Sequence, residues 1–453
     1  MIIAENYGFS PSNDGMTNSK CLQAAVDNGG DIYISTPGVY SVSEQIYLGD
    51  DTSLYFCAGA YLKREKHPEE NGFVFINKGA YTRTYNKNIK ISGLKLICNE
   101  IASNEYHTKS KKLILGLRAQ LSFFYVKNLV IEDFECLDLP AKDYCIQICT
   151  FEDVVLERLR IEGLKDAVHF GTGSKFVVRH GLFRTFDDPI ALNAHDYTRA
   201  NPEMGWIEDG LIEDCYDLDA DSTTGFFCRI LAGSWLDWYE GMELNRSDTV
   251  VSNGRMYRVA VPPDGRRYIS KTPPTHSEGT VVHDEIGWVM SQERVIYNCG
   301  CRNIHFKNIY LQKKRNVAFS IYFDNDKWSR SYYPESDAPV QENITFENIV
   351  VESDDMPYLL AASTPSQNLR FINCSLKNSK VIFNNVGTQG IVYPDVSMSF
   401  TGTYFAKEID ALVHCKNGVS TTLSVSGTLN NYFETSVIGD VKIKTSDINI
   451  IKK

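Results

Sequence analysis

The sequence predicts an all-β chain wound as a right-handed parallel β-helix, a solenoid whose coils stack along one axis. Three observations carry that prediction. A short strand phrase that opens on Asn or Asp recurs along the chain. Several copies lie about 25 residues apart and others about 40, as if a coil intervened. No leucine-rich frame accompanies them, and a period of about 20–25 residues of short strands without long helices marks a β-solenoid.

The phrase reads Asn88-Ile89-Lys90-Ile91-Ser92-Gly93, Asn128-Leu129-Val130-Ile131-Glu132-Asp133 and Asp153-Val154-Val155-Leu156-Glu157-Arg158. It returns at Asn303-Ile304-His305-Phe306-Lys307-Asn308, at Asn343-Ile344-Thr345-Phe346-Glu347-Asn348 and at Asn368-Leu369-Arg370-Phe371-Ile372-Asn373. Alternation of apolar and polar residues marks a strand with one buried face. The Asn or Asp at its edge suits a turn, because those side chains tolerate left-handed backbone. A single coil cannot bury its own apolar face, so coils stack and share one core. The 25 Tyr and 23 Phe supply internal stacks.

Both ends of such a stack need covers. Thr17 to Val26 places Cys21, Leu22, Ala25 and Val26 at helical spacing, followed by Gly29-Gly30 and a first strand at Asp31-Ile32-Tyr33-Ile34. Strands beyond Gly402 are less regular and end the stack. Between Ser234 and Gln292 the phrase vanishes, which divides the chain into residues 1–233 with the cap and the candidate site, an inserted β module at 234–292, and a second stretch of β-helix at 293–453.

The bulk numbers narrow the function. Hydrophobic residues make up 43% of the 453, enough for a continuous core. No run of eighteen apolar residues implies a membrane span. The net charge of −11 disfavours nucleic acid, which calls for a basic face. Met1 to Ser10 lack the basic stretch and apolar core of a secretory signal, so the expected location is cytoplasmic or with a virion or prophage, unless the terminus was trimmed. The twelve cysteines, without facing pairs at zinc-site spacing, read as buried free thiols.

Aspartates form the candidate site. Asp166 lies in Leu164-Lys165-Asp166-Ala167-Val168-His169, and Phe186-Asp187-Asp188-Pro189-Ile190 follows. Asp166 and Asp187 are 21 residues apart, close to one coil. Equivalent positions on neighbouring coils lie about 4.8 Å apart. Carboxyls gathered so closely push one another's pKa values apart, which leaves one as an acid and another as a base. Adjacent side chains on a strand point to opposite faces, so Asp187 and Asp188 cooperate only at a bend, and Pro189 favours a special local backbone. A solvated turn is the alternative.

These segments resemble the polygalacturonase-type glycoside hydrolases of the pectate-lyase-like superfamily, whose short helix and Gly-Gly turn are similar to the start of this chain. Asp166 fits the aspartate of their Asn-Thr-Asp segment, and Asp187-Asp188-Pro189-Ile190-Ala191 fits their Gly-Asp-Asp-Cys-Ile-Ala with Pro for Cys. The resemblance implies inverting hydrolysis without a metal or other cofactor, Asp187 as general acid, and Asp166 with Asp188 activating water. The chain departs where the family binds its acidic sugar. It has no Gly-His-Gly, and Cys228-Arg229-Ile230-Leu231 lacks the lysine of Arg-Ile-Lys. Leu192-Asn193-Ala194-His195-Asp196 looks more like the Asp-Asp-x-Ile-Asn-Val-His of β-helix α-galactosidases. Galacturonate- or galactose-type linkages are therefore the expected targets.

Further substrate-binding candidates are His195, His169, Arg184, Arg229 and Asn193, with Trp235 and Trp238 either as stacking surfaces for sugar rings or as core or interface packing. The polar-aromatic stretch from Tyr322 to Tyr333 is expected to border the cleft. The insertion resembles Val-x-x-Asn-Gly-x-x-Tyr … Pro-Thr-His-x-x-Gly … Trp units of phage tail proteins and some carbohydrate-binding modules, through Val250, Asn253, Gly254, Tyr257, His276 and Trp288. Two other readings stay open. A lyase or epimerase on this scaffold would use the aspartates to hold calcium. A tail-type protein would bind or depolymerise surface glycan, usually as a trimer. In each case the partner is a carbohydrate polymer or oligosaccharide.

Overall fold

The computed structural model describes residues 1–68, 71–102, 113–260, 267–323, 330–331, 333, 335–377, 379–384, 396–405, 412–416, 421–430, 437–438 and 441–451. Among the described residues thirty strands join one continuous sheet, and the pairings within it are parallel. The chain is a right-handed parallel β-helix with a helical cap.

Each coil contributes to three columns of strands. The first runs through Ile46–Leu48, Phe75–Asn77, Val168–Phe170, Ile190–Asn193, Cys228–Leu231 and Val317–Tyr322. The second carries the recurring phrase, through Asn86–Ser92, Gly173–Arg179, Ile207–Asp217, Cys301–Leu311 and Gln341–Val351. The third includes Gly38–Val42, Ala60–Arg64, Lys95–Ile97 and Leu182–Thr185. The strands Ala119–Leu139 and Tyr144–Gly163 bend through all three columns without a break.

The Asn and Asp residues of the phrase sit where the chain turns. Asn88, Asn128, Asp153, Asp209, Asn303, Asn343 and Asn368 all have φ between 54° and 58°, the left-handed region. Asn and Asp reach it at the least steric cost among residues with a side chain. Their side chains then bond from coil to coil: Asn343 donates to Asn303 at 3.0 Å, and Asn368 donates to Asn343 at 2.7 Å. A second column of left-handed residues closes the phrase at Asp133, Arg158, His180, Asp214, Asn308, Asn348 and Asn373. Inside, Phe306, Phe346, Phe371 and Phe400 stack nearly parallel at 5.4, 4.9 and 4.8 Å. The repeat is thus a turn signal outside and a ring stack within.

At the amino end, Gly15–Val26 is an α-helix whose first turn is closed by the Asp14 carboxylate, which accepts from the Thr17 N–H at 2.7 Å. It buries Leu22, Ala25 and Val26 against the first coils. Among the described residues no helix is long and apolar enough to cross a membrane. Cys21 and Cys57 are free and half-buried, and nine further free cysteines are buried.

One coil is far longer than the rest. Asn303 stacks on Asp209 across 94 residues of sequence. The detour leaves through Gly233–Ser234 and returns through Asn298–Cys299, which pair antiparallel. Within it, Thr249–Ser252, Arg255–Val259, Ile286–Gln292 and Thr280–His283 form a four-stranded antiparallel sheet around buried Trp288 and Tyr257. Arg258, fully buried, donates to the carbonyls of Asn201 and Asp196 and so pins this sheet to the coil that follows the aspartates.

Candidate active site

The first strand column and the turns that lead into it bring the aspartates together. Val168 pairs with Ile190, which sets Asp166 level with Asp188 on the next coil, and the Ala167 N–H donates to the Asp188 carbonyl at 3.0 Å. The one-coil partner of Asp166 is therefore Asp188, and Asp187 projects from a bend beside them. Carboxylate oxygens of the three residues lie within 4.8 Å of one another. Asp166 and Asp188 are buried, whereas the Asp187 side chain is 31% exposed. That spacing would also admit a cation, since carboxylates are the usual ligands of calcium.

Positive groups surround the cluster. Lys165 contacts Asp187 and lies 3.3 Å from Asp166. Arg229 lies 3.2 Å from Asp188 and 3.6 Å from Asp196. His169 places Nδ1 at 3.3 Å from Asp166, and its ring stacks on Tyr144 at 4.1 Å. Burial favours the neutral acid at Asp166, but Lys165, His169 and Arg229 together outweigh it and hold this carboxyl well below the usual range. At Asp188 burial prevails over Arg229, the Asp166 charge adds to it, and the pKa rises. The pKa values of two carboxyls at one level are thus split, one lowered and one raised.

The bend that carries Asp187 and Asp188 is held from below. Buried Lys313 donates to the carbonyls of Thr185, Phe186 and Thr224 at 2.7, 3.0 and 3.0 Å. Arg315 donates to Thr224 and Asp187 carbonyls and forks onto Asp217 at 2.6 and 2.9 Å. Gly225 completes the support. Its φ is +72°, and a Cβ there would meet the Asp187 carbonyl carbon at 2.6 Å, so a side chain at 225 would displace the bend.

Burial, then the neighbouring Arg315 charge, push the Lys313 ammonium down to about 7. Its three N–H bonds match three carbonyls, and the neutral amine has one donor fewer. Between about pH 7 and the ordinary lysine value near 10.4, the unfolded chain holds the extra proton, so this group adds stability as pH rises through that window. Replacing Lys313 by Met is expected to flatten that rise, read as the urea midpoint on either side of about pH 7. An unchanged slope would show that Lys313 does not titrate there.

The other expected binding residues divide. His169 and Arg229 touch the cluster directly. Asn193 reaches it through Asp196, to which it donates at 2.7 Å, and Asp196 in turn faces Arg229. His195, Trp235 and Arg184 have other partners. His195 is buried between the Ser331 and Thr249 hydroxyls at 2.9 and 3.3 Å, packed near Trp235, and burial holds it neutral. Trp235 is 1% exposed and donates to the Ile296 carbonyl, so its indole packs the root of the insertion and offers no face to a sugar. Arg184 lies on the third column and pairs with Glu162 at 2.8 Å. Trp238, half-buried, donates to Ser270 within the insertion. The expected cleft border at Tyr322 to Tyr333 falls largely on residues 324–329, outside the described residues.

Several members of the site had no part in the sequence reading. Tyr144 occupies the same column one coil before Asp166, as the pairing of Ile146 with Val168 shows, and a step back of 22 residues would have found it. Lys165 adjoins Asp166 in sequence. Arg118 packs over Tyr144 and contacts the Tyr197 hydroxyl. Lys313 and Arg315 carry no periodic signal, because the long detour separates them from the bend they hold.

No family model matches the chain, and no curated protein matches it. Solved structures do. The family 28 exopolygalacturonase of Yersinia enterocolitica is 14% identical, with 99% of this chain and 77% of that one covered and a TM-score of 0.50. The amino-terminal fragment of bacteriophage phi29 gene product 12 is 12% identical, with 97% and 71% covered and a TM-score of 0.50. The chain shares their fold. That fold is the parallel β-helix, and at these identities the likeness extends to architecture alone.

Proposed function

We propose that this chain is a glycoside hydrolase that cleaves a poly- or oligosaccharide at the Asp166, Asp187 and Asp188 cluster. The observation that carries the proposal is the convergence of three carboxylates within 4.8 Å, with Asp166 held ionised by its cationic neighbours and Asp187 at the solvent edge. Asp187 alone reaches solvent and is the residue placed to protonate a leaving glycosidic oxygen. Asp166 and Asp188 lie recessed behind it. A recessed carboxylate meets an anomeric carbon only through water, which makes Asp166 the base for an attacking water and inversion the outcome. The short spacing by itself would suit retention, for which carboxyls about 5–5.5 Å apart are usual. Burial of the inner pair is the reason for preferring inversion.

The neighbouring fold of an exopolygalacturonase supports a galacturonate- or galactose-type linkage, and Arg229 and Lys165 supply positive charge beside the carboxylates. The test is a hydrolysis screen across plant pectins, α-galactosides and bacterial polysaccharides, with chelator present and Asp187→Asn in parallel. Chelator-resistant release of reducing ends, lost in the variant, is expected. Release of an unsaturated product that stops with chelator would instead mark a lyase whose aspartates hold a cation. Glycan binding without cleavage would favour a tail-type recognition role, for which the phage neighbour and the inserted sheet speak.

A further inference from the structure

Away from the aspartates, three thiols meet in one corner of the solenoid interior. Cys98 follows the strand Lys95–Ile97, Cys136 lies in Ala119–Leu139, and Cys145 opens the next pass of the chain. All three are fully buried. The sulfurs of Cys98 and Cys136 are 3.5 Å apart, and the Cys145 thiol also hydrogen-bonds with Cys136. Asp138, two residues past Cys136, directs Oδ1 to 4.0 Å from the Cys136 sulfur. Donor atoms of Cys98, Cys136 and Asp138 lie within 4.8 Å of one another.

The carboxylate is fixed in this position. Its Oδ1 accepts from the Cys98 N–H at 2.9 Å and its Oδ2 from the Asn99 N–H at 2.9 Å. Each oxygen keeps a further lone pair, and backbone donors of this kind orient carboxylate ligands in metal sites. Around a tetrahedral ion with bonds of about 2.3 Å, two thiolate sulfurs stand roughly 3.7 Å apart, close to the separation found. Thiolates with one carboxylate select a soft or borderline divalent ion over calcium or magnesium.

We infer that Cys98, Cys136 and Asp138 form a binding site for one divalent ion of the zinc class. Asp138 is the exposed member and marks the side of entry, while Cys145 backs Cys136. The ion would staple successive coils at the corner that leads into Tyr144, the residue stacked on His169. The inference does not depend on the carbohydrate reading, because its test needs no substrate.

The test uses the full chain, stripped with chelator and titrated with cadmium, a spectroscopic stand-in for zinc. One equivalent per chain is expected, with a thiolate-to-cadmium charge-transfer band in the ultraviolet. The band should vanish in Cys98→Ser and in Cys136→Ser and persist in Cys215→Ser, a buried thiol elsewhere. Asp138→Asn, an exposed change that leaves the core intact, should weaken binding by about 10-fold or more. Zinc should raise the melting temperature of the wild type and not of Cys98→Ser. Absence of the band, or a band that survives both Cys98→Ser and Asp138→Asn in folded protein, would overturn the inference and leave the thiols as packing.

Discussion

Asp166→Asn is expected to lower glycan turnover by about 10²–10⁴-fold, the usual contribution of a positioned acid or base. The amide keeps the size of the carboxylate but cannot take a proton from water. Lys165, His169 and Arg229 hold the wild-type group ionised, so the base is present well into the acid range. Arg229 retains Asp188 and Asp196 as partners in the variant, and the site should stay folded. The sign of the stability change is also set. A depressed carboxyl pKa stabilises the fold above the ordinary carboxylate range and loses that contribution as pH falls through its folded value. Asp188, shifted upward, works in the opposite sense, and its contribution fades as pH rises through its folded value. Asp166→Asn should therefore remove part of the acid-side loss of stability seen in wild type. A variant within threefold of wild-type turnover would remove Asp166 from the chemistry.

Arg315→Ala is expected to produce the largest loss of stability, about 3–5 kcal/mol, because it leaves a buried carboxylate without its partner. Arg315 and Asp217 are both fully buried, and the guanidinium meets the carboxylate through two hydrogen bonds. The same guanidinium bonds the carbonyls of Thr224 and Asp187, so the bend that presents Asp187 and Asp188 should loosen as well. Arg315→Lys keeps the charge without the planar fork and should fall between the two. Urea unfolding would measure both. A loss under about 1 kcal/mol for Arg315→Ala would mean that Asp217 finds another partner or a proton at little cost.

The architecture was legible because a β-helix writes each coil twice, once as alternation and once as a turn residue. Asn303, Asn343 and Asn368 carry both signals, and left-handed backbone leaves few other residues suitable there. The capping helix was legible for the same local reasons. The site was legible only where it followed the coil period. Asp166 and Asp188 did so, and their exact level came from the pairing of Val168 with Ile190, one residue away from the spacing that pairs Asp166 with Asp187. His195 and Trp235, near the aspartates in sequence, lie at the root of the insertion, where hydroxyl and carbonyl partners take up their polar atoms. Lys313 and Arg315 were silent, since a cation that supports a bend from 128 residues later leaves no mark in local pattern.

The central claim is that recessed Asp166 activates water while Asp187 donates the proton. Its most direct test is the anomeric configuration of the first product, followed by proton nuclear magnetic resonance during hydrolysis of whichever glycan the screen identifies. The account predicts that the initial anomer is inverted relative to the substrate linkage and then mutarotates toward equilibrium. Initial retention of configuration would contradict it and would require a carboxylate of the cluster to reach the anomeric carbon itself.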